Sequence, residues 1–292
     1  MTIGSLLDGG FRLIRQRPGA MLIWTLIQLA AAIATSYAMV VIIQGNIDAL
    51  MSGESMQSMQ TSSTVKSLLV TLGGLVVSTF IYAAVQRAII RPDEGGPGWL
   101  KVSMDEVRLF LLVVLYLIIF GVGFLVAGII LGLFLSSAGP GVVAIGLLIA
   151  AGIAGAWFAT KMSLTFPLTL KERAFAIGEG WSLTKGHFWT LLGTYLIIFL
   201  ILLVLGIADM AVTQPEYLSA VFQYGFSSLE AQQASALQYQ KLMAGEIDAP
   251  IIIGWVLTAV QGAIGYAFFG GAVATAVQQL TADEAELSET FS

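Results

Sequence analysis

The sequence predicts an all-α membrane protein, a polytopic bundle of six transmembrane helices. Hydrophobic residues make up 57% of the 292 positions and charged residues only 11%, and the mean hydropathy is +0.88. An average soluble domain carries about a quarter charged residues. Several uncharged stretches also exceed the roughly 20 residues that a helix needs to cross a bilayer. Composition and span length therefore agree on a membrane protein.

Long uncharged windows define the spans. They are Gly19–Ile47, Ser67–Gln86, Leu109–Thr160, Phe188–Ala208 and Ala249–Ala282. The third window holds 52 residues, too many for one crossing, and its segment SSAGPG at Ser136–Gly141 supplies a break. The spans are then approximately Ala20–Gln44, Ser67–Ile90, Leu109–Leu135, Gly141–Met162, Phe188–Met210 and Ala249–Leu280.

Residues 1–282 are expected to form one transmembrane domain, and residues 283–292 a short, acidic, disordered tail. Two of the outer loops are long. Residues 45–66 form the first, and residues 211–248 form the other, in which the helix formers from Ser228 to Met243 predict a helix on the outer surface.

The placement of Lys and Arg predicts the orientation. Cytoplasmic loops carry the excess of these residues near the ends of spans. With the N-terminus inside, eleven of the 13 bases fall on the cytoplasmic side, and only Lys66 and Lys241 fall outside. We therefore expect both termini in the cytoplasm and a bacterial inner membrane as the location. The first apolar run is expected to be an uncleaved anchor rather than a signal peptide.

Similar segments precede the odd-numbered spans. Each contains a glycine followed by an aromatic residue: Gly10-Phe11, Gly98-Trp99 and Gly180-Trp181. One interpretation is a threefold internal repeat with units of about 1–91, 92–170 and 171–282. The other is the belt of aromatic and basic residues that any helix acquires at a membrane surface. Both interpretations predict interfacial amphipathic helices whose bases meet anionic lipid.

One stretch resembles a known family. Residues 161–200 combine a basic residue, the motif SLxxP and the motif xxWxLTKGxFWxLLG. This pattern resembles the YciC-like family, which is similar to the membrane domain attached to some glycerophosphoryl diester phosphodiesterases. The resemblance implies a six-span protein of the bacterial inner membrane. No catalytic residue carries over, because the phosphodiesterase barrel, with its two histidines and metal-binding carboxylates, is missing and His187 is the one histidine.

The spans lack the residues that most membrane chemistry needs. No ionisable residue lies in the middle of a span, which argues against a proton-coupled transporter or pump. Hydrolysis inside the membrane would need an activated nucleophile or a metal, which His187 cannot assemble alone. The absence of cysteine excludes disulfides and thiolate ligands. We expect no enzyme activity, no metal site, no cofactor and no nucleic-acid partner.

Lipid headgroups are the ligands that the sequence favours. The candidate contacts are Arg87, Lys161, Trp181 and Lys185. Arg87 and Lys161 end even-numbered spans on the basic side, and the alternative is that they only snorkel to the interface. A helix break at Pro167 would open room for a headgroup. The acidic pairs Asp93-Glu94 and Asp105-Glu106 are expected to lie on a solvated face.

Small residues and two glutamines predict how the helices pack. Stripes of Ala and Gly occur in three spans: Gly128 and Gly132 in the third, Gly146, Ala150 and Ala154 in the fourth, and Ala259, Ala263, Ala267 and Gly271 in the sixth. Gln28 and Gln261 are the most central polar side chains, and interhelical hydrogen bonds would explain both.

Three functions follow from these expectations. The first is a non-enzymatic protein that organises membrane lipids or partner membrane proteins. The second is a facilitator or exporter of an apolar or amphipathic small molecule. The third is an accessory subunit of a larger membrane complex.

Overall fold

The chain is helical along almost its whole length. The computed structural model describes residues 1–138 and 142–290 and contains no strand in that part of the chain. Its helices are α1 (Ile3–Gln16), α2 (Pro18–Met51), α3 (Met56–Ile90), α4 (Met104–Ala138), α5 (Val142–Met162), α6 (Thr165–Glu172), α7 (Ile177–Leu183), α8 (Phe188–Thr213), α9 (Pro215–Tyr224), α10 (Leu229–Met243) and α11 (Ala249–Thr290). Two 3₁₀ turns, Pro92–Glu94 and Pro97–Trp99, precede α4.

Six helical segments of the described chain are long and apolar enough to cross a membrane. They are α2, α3, α4, α5 with its continuation α6, α8 and α11. The predicted all-α, six-span fold is therefore confirmed. The break predicted within SSAGPG falls on residues 139–141, which lie outside the described residues.

Several boundaries differ from the sequence prediction. The first outer loop was expected over 45–66, but α2 continues to Met51 and α3 begins at Met56, so only residues 52–55 connect them. Ser63 of α3 donates a 2.5 Å hydrogen bond from its hydroxyl to the side-chain oxygen of Asn46 in α2, which joins the two extended helices. At the other end of the chain α11 reaches Thr290, whereas the sequence predicted a disordered tail over residues 283–292. Five of the ten residues in 283–292 are Glu, Ala or Leu, which are strong helix formers.

The long loop at residues 211–248 contains the helix that was predicted. α10 begins directly after Ser228, whose side-chain oxygen accepts a hydrogen bond from the N–H of Ala231 and caps the helix. A second helix, α9, was not predicted; it starts at Pro215, in the first-turn position where proline costs no hydrogen bond. The two helices pack through Ala220, Val221 and Ala231.

The chain divides into two compact units, each with its own packing. Unit 1 comprises Met1–Arg15, Tyr82–Ile197 and Ala267–Ser292, and unit 2 comprises Gln16–Ile81 and Ile198–Tyr266. A core cluster of unit 2 joins α2, α10 and α11 through Val40, Leu242, Ile251 and Trp255. One in unit 1 joins α3, α4 and α6 through Ala83, Leu109, Leu112 and Leu170.

A buried ion pair connects α3 to α4 in unit 1. Arg87, in the last turn of α3, is fully buried and pairs with Glu106, whose side chain is 4% exposed. The guanidinium also donates a 2.7 Å hydrogen bond to the carbonyl of Trp99. Glu106 accepts hydrogen bonds from the N–H and Oγ of Ser103, the capping-box arrangement that starts α4.

The turn at Gly98 and Trp99 brings this carbonyl to Arg87. Gly98 has φ +63° and Trp99 has φ +55°, both in the left-handed region. A tryptophan in this region is strained by roughly 1–2 kcal/mol, and its buried ring and bonded carbonyl hold it there. The indole N–H further donates to the carbonyl of Pro92 at 3.2 Å.

Glycines allow two short helices of unit 1 to touch other helices closely. A Cβ at Gly10 of α1 would lie 2.8 Å from the Cα of Phe268 in α11. A Cβ at Gly180 of α7 would lie 2.7 Å from the Cα of Thr165 in α6. Both contacts are backbone to backbone, so no side chain can move aside.

The three glycine–aromatic segments make related contacts. Each meets an even-numbered span: Gly10 meets the middle of α11, Trp99 meets the end of α3 and Gly180 meets the start of α6. A threefold duplication would produce this arrangement, although the second segment forms 3₁₀ turns where the others form helices. The internal repeat stays a prediction.

Only one of the predicted small-residue stripes is packed. Ala259, Ala263 and Ala267 of α11 are at most 1% exposed, and Gly271 is buried. In contrast, the glycines and alanines proposed for the third and fourth spans lie on exposed helix surfaces. A spacing of four places small residues on one face but does not show whether another helix covers it.

Replacing Arg87 by Met tests the buried pair. The variant leaves Glu106 buried without its cation, so we expect a loss of about 3–5 kcal/mol in the free energy of unfolding. Arg87→Met combined with Glu106→Met should recover much of this loss, because apolar replacement of a whole buried pair is often neutral. Arg173→Gln, at a pair whose arginine is 64% exposed, should cost about 1 kcal/mol or less. Equal losses for Arg87→Met and Arg173→Gln, measured by steric trapping in bicelles, would contradict the account.

Gly180→Ala tests the close contact between α7 and α6. The added methyl would overlap the backbone of Thr165, and overpacking of this kind costs about 1–3 kcal/mol. Gly178→Ala is the matched control in the same helix, because a Cβ there meets nothing within 4 Å. The unfolding temperature should fall for Gly180→Ala and stay level or rise for Gly178→Ala. Equal temperatures for the two variants would show that the contact is not tight.

Candidate functional site

Lys161 lies at the end of α5 among aromatic rings. Its ammonium nitrogen is 6.0 Å from the ring centroid of Trp181 and 5.8 Å from that of Phe188. These distances are within the range of cation–π attraction. No carboxylate pairs with Lys161 in residues 1–133 and 146–282, where side chains are described. Its positive charge is therefore held by rings and is not neutralised there.

Further aromatic residues surround Trp181. The rings of Trp157 and Phe158, on α5, meet it edge to face with centroids 5.5 and 6.1 Å away. The close approach of Gly180 to α6 positions α7 and hence this ring. Trp157 is 46% exposed, so the cluster presents an apolar surface beside the ammonium group. We call Lys161, Trp181, Phe188, Trp157 and Phe158 the Lys161 site.

The helix break near Lys161 precedes Pro167. α5 ends at Met162 and α6 begins at Thr165, so the chain breaks at residues 163–164. Pro167 is the third residue of α6, where its missing N–H would have no helical partner anyway. The expected position at Pro167 is thus wrong by a few residues. Tyr195 donates a 2.7 Å hydrogen bond to the hydroxyl of Ser163 at this break.

The four predicted headgroup residues do not form one site. Lys161 and Trp181 come together, as described above. Lys185 is exposed in the turn between α7 and α8. Arg87 is fully buried, and its ion pair with Glu106 and hydrogen bond to Trp99 engage it inside the protein. We therefore leave Arg87 out of the Lys161 site.

The acidic residues around α4 are paired rather than simply solvated. Asp105 is 9% exposed and lies 3.0 Å from Arg91 and 3.0 Å from Arg108. Arg91 also donates to the carbonyls of Leu170 and Lys171, which end α6. A base at these carbonyls satisfies the unpaired acceptors at a helix C-terminus. The expectation of a solvated face was wrong for Asp105 and Glu106, and the capping-box sequence SMDE was the available signal.

Glu94 binds three bases in the same region. Its carboxylate oxygens lie 2.7 Å from Arg173, 3.3 Å from Lys101 and 3.5 Å from Arg91. Burial raises the pKa of Glu94, but the hydrogen bonds from Arg173 and Lys101 and the charge of Arg91 together lower it below its ordinary value. Of the described residues, Arg87, Arg91, Lys101, Arg108 and Arg173 are thus neutralised by acids.

Unit 2 contains a cavity that the sequence did not reveal. Its volume is about 890 Å³, and its walls come from α2, α3, α8, α9, α10 and α11. Ligand pockets commonly measure about 300–1,000 Å³. The lining mixes apolar side chains with amides, hydroxyls and charged groups, including Gln28, Asp209, Lys241, Trp255 and Gln261. This composition suits an amphipathic occupant.

Several polar groups of the cavity wall bond to each other or to backbone. Gln261 donates a 3.0 Å hydrogen bond to the carbonyl of Leu202, which confirms the interhelical bond expected for this residue. Trp255 donates from its indole N–H to Ser36 at 2.9 Å. The side chain of Gln28 lies against Gly262, and its amide makes no hydrogen bond to other described residues. The expected interhelical bond is therefore found for Gln261 and not for Gln28.

No comparison with known proteins identifies this chain: no protein-family model, curated protein or solved structure matches it. The resemblance to the YciC-like family therefore stays a prediction. Among the described residues, no group of three or more His, Asp or Glu side chains is arranged to hold a metal ion.

The lowered pKa of Glu94 predicts a pH-dependent contribution to stability. The contribution is complete above the ordinary pKa of 4.5 and is lost as the pH falls through the lower value of the folded state. The difference in unfolding temperature between the wild type and Glu94→Gln should therefore be largest near neutral pH and shrink below about pH 4. Thermal unfolding in detergent from pH 7 to pH 3 measures it. A difference that stays constant over this range would contradict the role assigned to the three bases.

Proposed function

We propose that this chain is a non-enzymatic protein of a bacterial inner membrane that organises phospholipids or partner membrane proteins, with both termini in the cytoplasm. The six apolar helices support the membrane location. The excess of Lys and Arg at one set of span ends supports the orientation. The arrangement around Lys161 supports anionic phospholipid as the bound partner.

The unneutralised ammonium group of Lys161 is the observation that carries the proposal. A phosphate headgroup would supply the missing negative charge, and a base near an anionic membrane surface contributes about 1 kcal/mol. The rings of Trp181 and Trp157 would pack beside the glycerol and upper acyl region, where tryptophan is enriched in membrane proteins. Lys185, exposed in the following turn, would contact neighbouring headgroups.

The cavity of unit 2 favours a second function. A facilitator or exporter of an amphipathic small molecule needs a space of this kind, and α9 and α10 of the outer loop form part of its wall. Flux of lipophilic compounds across vesicles that contain the protein would support this function. Flux equal to that of protein-free vesicles would remove it and leave phospholipid binding unaffected.

Lys161→Leu tests phospholipid binding. Loss of the ammonium group should reduce binding of phosphatidylglycerol about fivefold, the factor that corresponds to about 1 kcal/mol. Native mass spectrometry of protein from mild detergent measures the retained lipid. Arg108→Gln is the matched control, because it removes a base that Asp105 already neutralises. Equal lipid retention in the wild type and Lys161→Leu would overturn the proposal.

A further inference from the structure

Asp209, in the wall of the unit 2 cavity, has neither an ion pair among the described residues nor a favourable helix dipole. Four charged residues line this cavity: Asp209, Glu216, Lys241 and Asp248. Lys241 and Asp248 form an ion pair at 2.6 Å, and their hydrogen bond raises the pKa of Lys241 and lowers that of Asp248. Glu216 lies in the first turn of α9, where the helix dipole favours negative charge. The charges of these three residues are therefore stabilised by groups of the protein itself.

The negative charge of Asp209 has no comparable stabilising group among the described residues. It lies near the C-terminal end of α8, where the helix dipole disfavours negative charge. The hydroxyl of Thr213 donates to the backbone carbonyl of Asp209 at 2.8 Å and lies 3.3 Å from one carboxylate oxygen of Asp209. No described base pairs with this carboxylate. Ionisable side chains inside spans usually have a partner or mark a binding site. Asp209 therefore lacks a cation.

The surrounding wall supplies groups that bind organic cations. Trp255 and Tyr217 line the cavity, and such rings attract ammonium groups through their faces. The hydrogen bond from Trp255 to Ser36 fixes its indole in place. Thr213, four residues after Asp209, lies against Gly254, the neighbour of Trp255, so the two helices bring the acid and the ring to the same cavity.

Unused hydrogen-bond acceptors line the same wall. The amide of Gln28 and the hydroxyls of Thr35 and Thr258 face no hydrogen-bond partner among the described residues. An ammonium group donates up to three hydrogen bonds and therefore suits such a wall. The side chains of Ala31 and Met210 add apolar surface for the rest of a ligand.

We propose that the cavity of unit 2 binds an amphipathic organic cation, with its positive group beside Asp209 and Trp255 and its apolar body along α2 and α8. The cavity volume of about 890 Å³ is within the range of pockets that bind drug-sized molecules. This proposal concerns binding and does not depend on phospholipid binding at the Lys161 site. If the protein is a facilitator, an amphipathic organic cation would be its ligand. Binding of the cation without transport across the membrane would still support the proposal.

Tetraphenylphosphonium and tetraphenylborate form the probe pair that tests the proposal. The two ions share size and shape and differ in the sign of their charge. The full chain is reconstituted in phosphatidylcholine nanodiscs, and equilibrium binding is corrected with empty nanodiscs. The wild type should bind tetraphenylphosphonium saturably and more tightly than tetraphenylborate. Asp209→Asn should weaken binding of the cation about tenfold, as the loss of one favourable charge pair predicts.

Two further variants identify the site. Asp209→Glu keeps the charge and should retain most of the binding. Glu230→Gln is the matched control: it removes an exposed acid in the first turn of α10 that does not line the cavity, and it should change binding less than about twofold. Equal thermal unfolding of Asp209→Asn and the wild type would show that the fold is intact. The proposal is overturned if the wild type binds neither ion saturably, if it binds both equally, or if Asp209→Asn binds the cation as the wild type does.

Discussion

The buried pair of Arg87 and Glu106 is the interaction on which the architecture of unit 1 depends. A buried charge is tolerated only when a partner and hydrogen bonds satisfy it. Here that requirement ties together the end of α3, the left-handed turn at Trp99 and the capping box that starts α4. Arg91, which pairs with Asp105, donates to carbonyls at the end of α6 and so connects that helix to the same network.

The pairing of charges also shows where ligands are expected. Most acids and bases around α4 neutralise one another, whereas Lys161 in unit 1 and Asp209 in unit 2 have no ionic partner among the described residues. Unpaired charge at the edge of an apolar span costs free energy. Each of the two residues lies in a setting that includes a tryptophan, Trp181 for Lys161 and Trp255 for Asp209. We infer an anionic ligand for the first and a cationic ligand for the second.

The spans could be predicted from sequence because every backbone polar group in lipid must be bonded within its own helix, which requires long uncharged stretches. The helix α10 was likewise visible from its composition and from Ser228. The burial of Arg87 could not be predicted from the sequence. A base at the end of a span looks the same in sequence whether it snorkels to the interface or pairs with an acid 19 residues away, as Arg87 does with Glu106. The cavity was invisible for a related reason: it depends on how several helices diverge, and no periodicity in a single helix encodes that.

A cryo-EM structure in nanodiscs containing phosphatidylglycerol tests the central claim most directly. The account predicts phosphate density within hydrogen-bond distance of the Lys161 ammonium, with acyl-chain density beside Trp181 and Trp157, while Arg87 remains paired with Glu106. A Lys161 side chain that forms an ion pair with a carboxylate of the protein, with no lipid density at the rings, would contradict the account.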